Sequence, residues 1–349
     1  MRPDLPEAFR VMCKLLTFMQ LRRSATAWIE RSGRQLMLFS FRAARRFGLP
    51  GVGAWLKRDA YITVLLIALA LSKQGLPDIA AADPAPSVVV ADPAPLQLKS
   101  STVDAFNRYV QLTEARGDAE LKRGTGLLWI DGLPESERTK AYEDLKRGAV
   151  KMRKMETLDD GRAVETPGGL IHHWVGLAFI PGTKLQDVLE VLQDYNQHAV
   201  YYAPDVERSK LESRDGDHFR VFLRFRRHKI VTVALNTEHD VRYFRDSATR
   251  AHSRSSAVRI AQVENAGKSD EREKTPGDDD GFLWRMETWW RVIESDGGVY
   301  VQSEVVSLTR NIPAGLGWLI GPFVTSIPKE TLAFTMEATR KAVVAKHHN

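Results

Sequence analysis

Two charged residues lie in strand-like segments of the sequence, where a buried charge would need a partner. Glu304 lies in a run of valines, and Arg254 lies in a run of serines. Burying an unpaired charge costs several kcal/mol, so an inward-facing side chain at either position requires an oppositely charged neighbour. We therefore predict that Arg254, Glu304 and Arg310 form a polar group that orients the head group of a ligand. Solvent-facing cross-strand pairing is the alternative.

Adjacent histidines, His172 and His173, lie in another strand-like segment. Neighbouring residues of a strand point to opposite faces, so at most one of the two imidazoles can reach an interior cavity. There it could act with Tyr201 or Tyr202 as a general acid or base. The alternative is a structural histidine whose hydrogen bonds are satisfied within the fold.

Other catalytic and cofactor signatures are missing from the sequence. The remaining histidines are scattered, and we find no Walker loop, Rossmann glycine pattern or serine-nucleophile elbow. The one cysteine, Cys13, lies near the N-terminus, so the rest of the chain has no disulfide, thiolate metal site or cysteine nucleophile. We therefore predict neither a cofactor nor a metal.

Large apolar side chains are frequent in the predicted strands. They either form a solid core or line a hollow, and both faces of several strands carry more of them than one helix can cover. The predicted ligand-contacting residues, apolar and polar together, are Trp174, Phe222, Tyr243, Arg254, Trp284, Trp290, Glu304, Arg310, Trp318 and Met336.

The elements that must position these residues follow from periodicity and turn signals. Residues 101–164 predict a helical accessory segment without chemistry of its own, followed by a hairpin of 150–157 with 169–181 and a helix capped by Thr183. About six antiparallel strands come next, the fifth beginning at Phe282. The chain closes with a helix to about Ala345, capped by Ser326, with Pro328 in its first turn and Leu332, Met336, Thr339 and Val343 on one stripe. This order predicts an α+β fold.

Several local features of this order resemble the helix-grip fold of the START and polyketide-cyclase-like superfamily. They are Pro181-Gly182 before a helix, the break at Tyr202-Ala203-Pro204, hairpins broken by Asp-Gly and Gly-Gly, and residues 307–310 leading through Ile312-Pro313 to 327–332. The resemblance covers residues 165–346. It implies a curved antiparallel sheet wrapped around a long C-terminal helix, with an apolar cavity between them. Members include lipid carriers, hormone receptors, aromatase/cyclases and oxygenase subunits, so the fold does not select a function.

The segment 314–323 is too apolar for an ordinary solvated loop. It either tucks under the C-terminal helix as core or forms a glycine-hinged gate whose Leu316, Trp318 and Leu319 touch a membrane or ligand.

The positive charge of the chain is concentrated at its N-terminus. Residues 1–59 contain twelve Lys and Arg against four Asp and Glu, whereas residues 83–349 have a net charge of −2, so the sequence predicts no nucleic-acid partner. The apolar run 60–71 follows Lys57-Arg58 and is typical of a secretory signal. We expect cleavage near Ala82, with an uncleaved anchor as the alternative, and a Pro/Ala-rich linker over 83–100.

Together these features predict a non-enzymatic protein that binds or carries a hydrophobic, lipid-like small molecule in the periplasm or cell envelope. Contact with a membrane surface through 314–323 is part of this prediction. One alternative is a cyclase- or hydrolase-type enzyme that uses His172 or His173 on a hydrophobic substrate in the same cavity. Another is a filled domain that serves only protein contacts.

Overall fold

The computed structural model describes residues 97–228, 232–311 and 317–347, with the side chains of 317–325 and 347 left aside. The leader 1–82 and the linker up to residue 96 lie outside the described residues. The signal segment and the cleavage near Ala82 therefore remain predictions.

Helices lie at both ends of the described chain, and strands fill its middle. The helices are α1 (Ser100–Arg123), α2 (Glu135–Lys146), α3 (Leu185–Gln193), α4 (His198–Tyr201) and α5 (Gly317–His347). The strands are β1 (Lys151–Lys154), β2 (Leu158–Asp159), β3 (Arg162–Ala163), β4 (Gly169–Pro181), β5 (Val206–Asp215), β6 (His218–His228), β7 (Thr232–Ser247), β8 (Arg250–Glu264), β9 (Arg272–Glu273), β10 (Arg285–Ser295) and β11 (Gly298–Arg310).

The long strands form one antiparallel sheet in the order β1-β4-β11-β10-β8-β7-β6-β5. The predicted hairpin pairs β1 with β4, with Lys151 opposite Leu177. Helix α5 packs on β4 and β11. This arrangement confirms the predicted α+β, helix-grip fold.

The two faces of the sheet are covered by different helices. Side chains alternate along each strand, so one face receives Ala178 and Ile180 of β4 and the other receives Leu177 and Phe179. We name the first face, which packs against α3 and α5, the inner face. The second, which packs against α1 and α2, is the outer face.

Helix α3 closes one end of the inner face with its apolar stripe Leu185, Val188, Leu189 and Leu192, as its spacing predicts. The predicted cap at Thr183 is wrong, because the helix begins at Leu185. The Thr183 hydroxyl instead donates to the carbonyl of Ile180 at 2.9 Å. The carboxylate of Asp187 accepts from the backbone N–H of Lys184 at 2.7 Å and so satisfies this helix end.

The predicted start of the C-terminal helix is also wrong. Helix α5 begins at Gly317, so Ser326 does not cap it and Pro328 lies well inside it. The predicted stripe is confirmed, since Leu332, Met336, Thr339 and Val343 are all buried. Residues 314–316 of the predicted gate, and the side chains of Trp318 and Leu319, lie outside the description.

Strand β10 begins at Arg285 rather than at Phe282. Phe282 is one of the exposed large apolar residues, and Trp284 already packs against α1. The segment before β10 therefore packs on α1 through Trp284, and the alternation of residue types that predicted a longer strand does not extend β10 to Phe282.

Candidate ligand-binding site

Cross-strand register arranges the inner face into rows of side chains that run across β4, β11, β10 and β8. The row nearest α3 contains Ala178, Val301, Val292 and Ala251, each at most 4% exposed. Aliphatic side chains at this exposure form a solid core. We name these four residues the packed row.

Two residues further along each strand lies a second row, which contains two serines. It consists of Gly176, Ser303, Trp290, Ser253 and Tyr243, and we name it the serine row. Helix α5 crosses it at Gly176, where a Cβ atom would lie 2.9 Å from Cγ of Met336. The glycine therefore permits the close approach of helix and sheet.

The third row is not fully buried, although it lies on the same face. It contains Trp174, Val305, Thr288, Ser255 and Val241, and the first four of these side chains keep intermediate exposure. We name it the open row. The inner face is therefore solid beside α3 and partly accessible at the open row, which is lined by apolar and small hydroxyl side chains.

The two tryptophans predicted to contact a ligand lie in these last two rows. Trp174 and Trp290 are partly buried against the main core cluster. The Nζ atom of Lys329, on α5, lies 5.7 Å from the ring centroid of Trp174, within the range of a cation–π contact. Lys329 is exposed, so this pair lies at the edge of the accessible region.

Tyr243 closes the other end of the serine row. Its hydroxyl lies 2.9 Å from the hydroxyl of Tyr195 and donates to the carbonyl of Leu192 at 3.1 Å. Burial raises the pKa of both phenols, so they stay protonated at neutral pH. The hydroxyl of Tyr243 therefore belongs to a buried pair, and its ring packs on Phe219.

Of the two adjacent histidines, His172 lies on the inner face. Its Nε2 atom is 3.0 Å from the Thr309 hydroxyl. Burial lowers the pKa of His172 to about 4, so the imidazole is neutral near pH 7. A group with this pKa is a poor general base at neutral pH, because effective bases titrate near the working pH.

His173 lies on the outer face in a chain of polar contacts with α1. The Tyr109 hydroxyl lies 2.9 Å from Nδ1 of His173, and Nε2 of His173 lies 2.7 Å from Oε1 of Glu304. Arg116 donates to the same carboxylate, and the Thr157 N–H donates to the Tyr109 hydroxyl at 2.8 Å. This network joins α1 to the sheet.

Two predictions about these residues are corrected by the network. Glu304 does have the charged partner that its burial requires, but this partner is Arg116 of α1 on the outer face, with His173 as a second hydrogen-bond partner. The accessory segment was predicted to have no chemistry of its own. It supplies two of the four side chains of this network, Tyr109 and Arg116.

Arg254 also faces α1 rather than α5. It forms ion pairs with Asp118 and Glu114 of that helix. Arg254 and Glu304 line one small cleft of about 30 Å³ beneath α1, large enough for about two water molecules. Arg310 is six residues from Glu304 on β11, about 20 Å along an extended strand, so the predicted three-residue polar group is not formed.

The other predicted contact residues divide between core, outer face and undescribed positions. Trp284 packs with Phe106 of α1, and its indole N–H donates to Asp279 at 2.9 Å. Phe222 alternates with the inner-face residues Val221 and Leu223 and so faces outward. Met336 is fully buried over Gly176, and the side chain of Trp318 lies outside the description.

The sequence reasoning missed Thr288, Val305 and Ser255, which line the open row. Alternation with Trp289 and Glu304 would have placed them on one face, but nothing local identifies that face as the accessible one. The roles of Tyr109 and Arg116 were not predicted, because α1 lies in the segment predicted to be an accessory helix without chemistry of its own.

A second concavity lies at the surface between α4 and α5. It is a groove of about 300 Å³ whose lining includes Val200, Tyr201, Phe334 and Ala338. Val200 is 69% exposed, so the groove opens to solvent and is separate from the rows described above.

The described ranges contain neither a cluster of metal ligands nor a helix that could cross a membrane. No group of three or more His, Cys, Asp or Glu in these ranges is arranged to hold a metal ion. Among the helices of the same ranges, none combines the length and apolarity needed to cross a membrane.

Comparison with known proteins finds similarity at the level of solved structures. No family model matches the sequence, and no curated protein matches it. A fragment of the STAR-related lipid transfer protein of Xanthomonas axonopodis has 17% identity and a TM-score of 0.34, over 55% of this chain and 98% of that one. The Zhui aromatase/cyclase of Streptomyces sp. R1128 has 13% identity and a TM-score of 0.33, over 50% and 94%.

Human STARD10 is similar at 9% identity with a TM-score of 0.34, over 61% of this chain and 80% of that one. Structures of the kinds named in the predicted resemblance are thus among those similar to this chain, and the α+β fold itself rests on the strand order and helix packing described above.

Proposed function

We propose that the protein binds a hydrophobic, lipid-like small molecule at the open row, between the inner face and α5. The exposure of the open row carries this proposal. Trp174, Val305 and Thr288 keep partial exposure, although the packed row on the same face is solid core. Apolar walls with a few polar groups are the usual lining of small-molecule sites.

Native mass spectrometry of freshly purified full-length protein tests this binding function. We expect a protein peak with an additional mass that organic extraction removes and that lipid analysis identifies as apolar. A bare mass, together with no uptake of added oleyl alcohol, would exclude binding at this site.

The geometry supports binding better than catalysis. His173, one of the two candidate acid–base residues, faces α1. The other, His172, is hydrogen-bonded to Thr309, and burial lowers the pKa of its imidazole to about 4. Replacing His172 by Gln would leave ligand retention intact if the protein is a carrier.

We propose that this binding takes place in the cell envelope. The support is the apolar run 60–71 after Lys57-Arg58 and the small residues before Asp83. Fractionation of a bacterium that expresses the full chain, with N-terminal sequencing of the product, tests this. An envelope product that starts near Asp83 is expected, and a cytoplasmic product with an intact leader would contradict it.

Contact with a membrane surface through residues 314–323 is a further part of the proposal, supported by their apolar sequence. The difference in fluorescence between the wild type and Trp318→Phe, with and without phosphatidylcholine vesicles, tests it. A vesicle-induced blue shift that the variant lacks is expected, and identical spectra would exclude the contact.

A further inference from the structure

Two serine hydroxyls on the inner face have no hydrogen-bond partner within the described part of the chain. They belong to Ser253 and Ser303, and each residue is 1% exposed. Buried hydroxyls are nearly always bonded, because an unpaired one loses its bonds to water without replacement. These two atoms therefore require an explanation.

Both hydroxyls point to the side of the sheet that faces α5. The Trp289 indole donates to Glu114 of α1 on the outer face, so the adjacent Trp290 and Ser253, its cross-strand partner, face inward. On β11, the side chains on both sides of Ser303 form hydrogen bonds on the outer face. Gln302 accepts from the Trp129 N–H and Glu304 accepts from Arg116.

The two serines lie on opposite sides of Trp290 in the serine row. One strand, β10, separates them, so their Cα atoms are roughly 10 Å apart. The partly exposed residues Thr288 and Val305 of the open row follow about 7 Å further along the strands. The hydroxyls therefore lie between the solid packed row and the partly exposed open row of the inner face.

We infer that Ser253 and Ser303 are the polar contacts of the ligand site and that each binds a neutral oxygen function, a carbonyl or hydroxyl, on an otherwise apolar ligand. This inference rests on the proposed binding function. A serine hydroxyl can donate to a carbonyl and accept from a hydroxyl. A charged group is disfavoured, because none of the four side chains in the serine row is ionised near pH 7 and a buried charge needs a counter-ion.

Two matched probes test this inference with the full-length protein after removal of any bound lipid. 2-Acetylnaphthalene carries a carbonyl, and 2-ethylnaphthalene has a similar size and no oxygen. Each is titrated, with tryptophan fluorescence as the readout, into the wild type, the double variant S253A/S303A and the control S256A. Ser256 lies on the same strand but bonds to Glu287 on the outer face.

We expect the wild type and S256A to bind the ketone about tenfold more tightly than the hydrocarbon, equivalent to about 1.4 kcal/mol. S253A/S303A should bind both probes with the affinity that the wild type has for the hydrocarbon. If the double variant keeps the tenfold preference, or the wild type has none while binding both probes, the serines are not the polar contacts and the binding function stands. If the wild type binds neither probe, the binding site itself is rejected.

Thermal unfolding without ligand gives an independent test. Removal of unpaired buried hydroxyls should raise the Tm of S253A/S303A by a few degrees, in proportion to the desolvation cost relieved. A lower Tm would mean that the hydroxyls have partners within the protein, and it would overturn the inference whatever the binding result. Single variants provide the same reading if the double variant fails to fold.

Discussion

The Nε2 atom of His173 lies 2.7 Å from Oε1 of Glu304, and both residues are buried between the sheet and helix α1. Hydrogen bonding to His173 holds the pKa of Glu304 below its usual value, against the opposing effect of burial. The pair connects two central strands to the accessory segment through Tyr109 and Arg116. A helix that precedes the helix-grip region in sequence is thus part of its core.

Replacing Glu304 by Gln should lower the free energy of unfolding by about 1–3 kcal/mol, because His173 and Arg116 lose a charged acceptor. Ligand retention should be unchanged, since the side chain faces away from α5. Urea denaturation and native mass spectrometry measure the two effects. Asp118→Asn is the control, because its pair with Arg254 is largely solvated and should contribute less than about 1 kcal/mol. An E304Q protein of normal stability that no longer holds ligand would contradict this assignment.

Three buried histidines should make the protein sensitive to acid. Burial lowers the pKa of His172, His198 and His239 to about 4, from 6.5. As the pH falls below 6.5 the unfolded chain takes up these protons first, so stability is lost between pH 6.5 and 4. Each histidine contributes a slope of up to about 1.4 kcal/mol per pH unit. Urea midpoints across this range should fall less steeply for His239→Gln, and an unchanged slope would show that His239 does not titrate this way.

Glu287 should act in the opposite direction. Burial raises its pKa to about 7, from 4.5, so the folded state keeps a proton that the unfolded state releases. The resulting stabilisation is complete below pH 4.5 and is lost as the pH rises through 7. Glu287→Gln should therefore gain stability relative to the wild type between pH 5 and 8, by at most about 3 kcal/mol. A constant difference between the two proteins over this range would argue against a protonated Glu287.

Two strand glycines should differ in their tolerance of a methyl group. A Cβ at Gly298 would lie 2.4 Å from the backbone carbonyl oxygen of Ile180, whereas a Cβ at Gly176 would meet only movable side chains at 2.9 Å and beyond. Gly298→Ala should therefore destabilise the fold by roughly 3 kcal/mol, and Gly176→Ala by about 1 kcal/mol. Gly132→Ala, with nothing within 4 Å, is the control for denaturation measurements. Equal effects at Gly298 and Gly132 would contradict the close strand approach.

Filling the open row should block binding without disrupting the fold. Thr288→Phe adds a ring where the structure keeps partial exposure, so we expect at least tenfold weaker binding of 2-acetylnaphthalene and an unchanged circular dichroism spectrum. Val258→Phe is the matched control, because Val258 is 52% exposed on the neighbouring strand β8. If both variants bind like the wild type, the ligand does not occupy the open row.

Strand alternation and helix periodicity predicted most of the fold. The β1–β4 hairpin, the α3 stripe and the Leu332–Met336–Thr339–Val343 stripe follow from spacings of two and of three to four residues, which are local properties of the chain. The limits of α5 and β10 were wrong by several residues. At the start of β10 tertiary packing outweighs the alternation of residue types, because Trp284 packs on α1 instead of extending the strand.

The candidate site was harder to predict, because alternation assigns residues to two faces without naming the inner one. Trp174 and Trp290 lie on the α5 side, where a ligand contact remains a prediction, but Phe222, Trp284, Arg254 and Glu304 face outward. The deciding contact, α1 against the outer face, joins residues that are far apart in sequence, such as Arg116 and Glu304.

The sequence by itself therefore determined the order of strands and helices, the opposite orientations of His172 and His173, and the requirement that Glu304 have a charged partner. These follow from backbone periodicity and from the cost of burying a charge. Only the tertiary structure decided that this partner comes from α1 and that the open row lies beyond two unpaired serines. Such contacts depend on which surfaces meet when the sheet is covered on both faces, and neighbouring residues in the chain do not specify that.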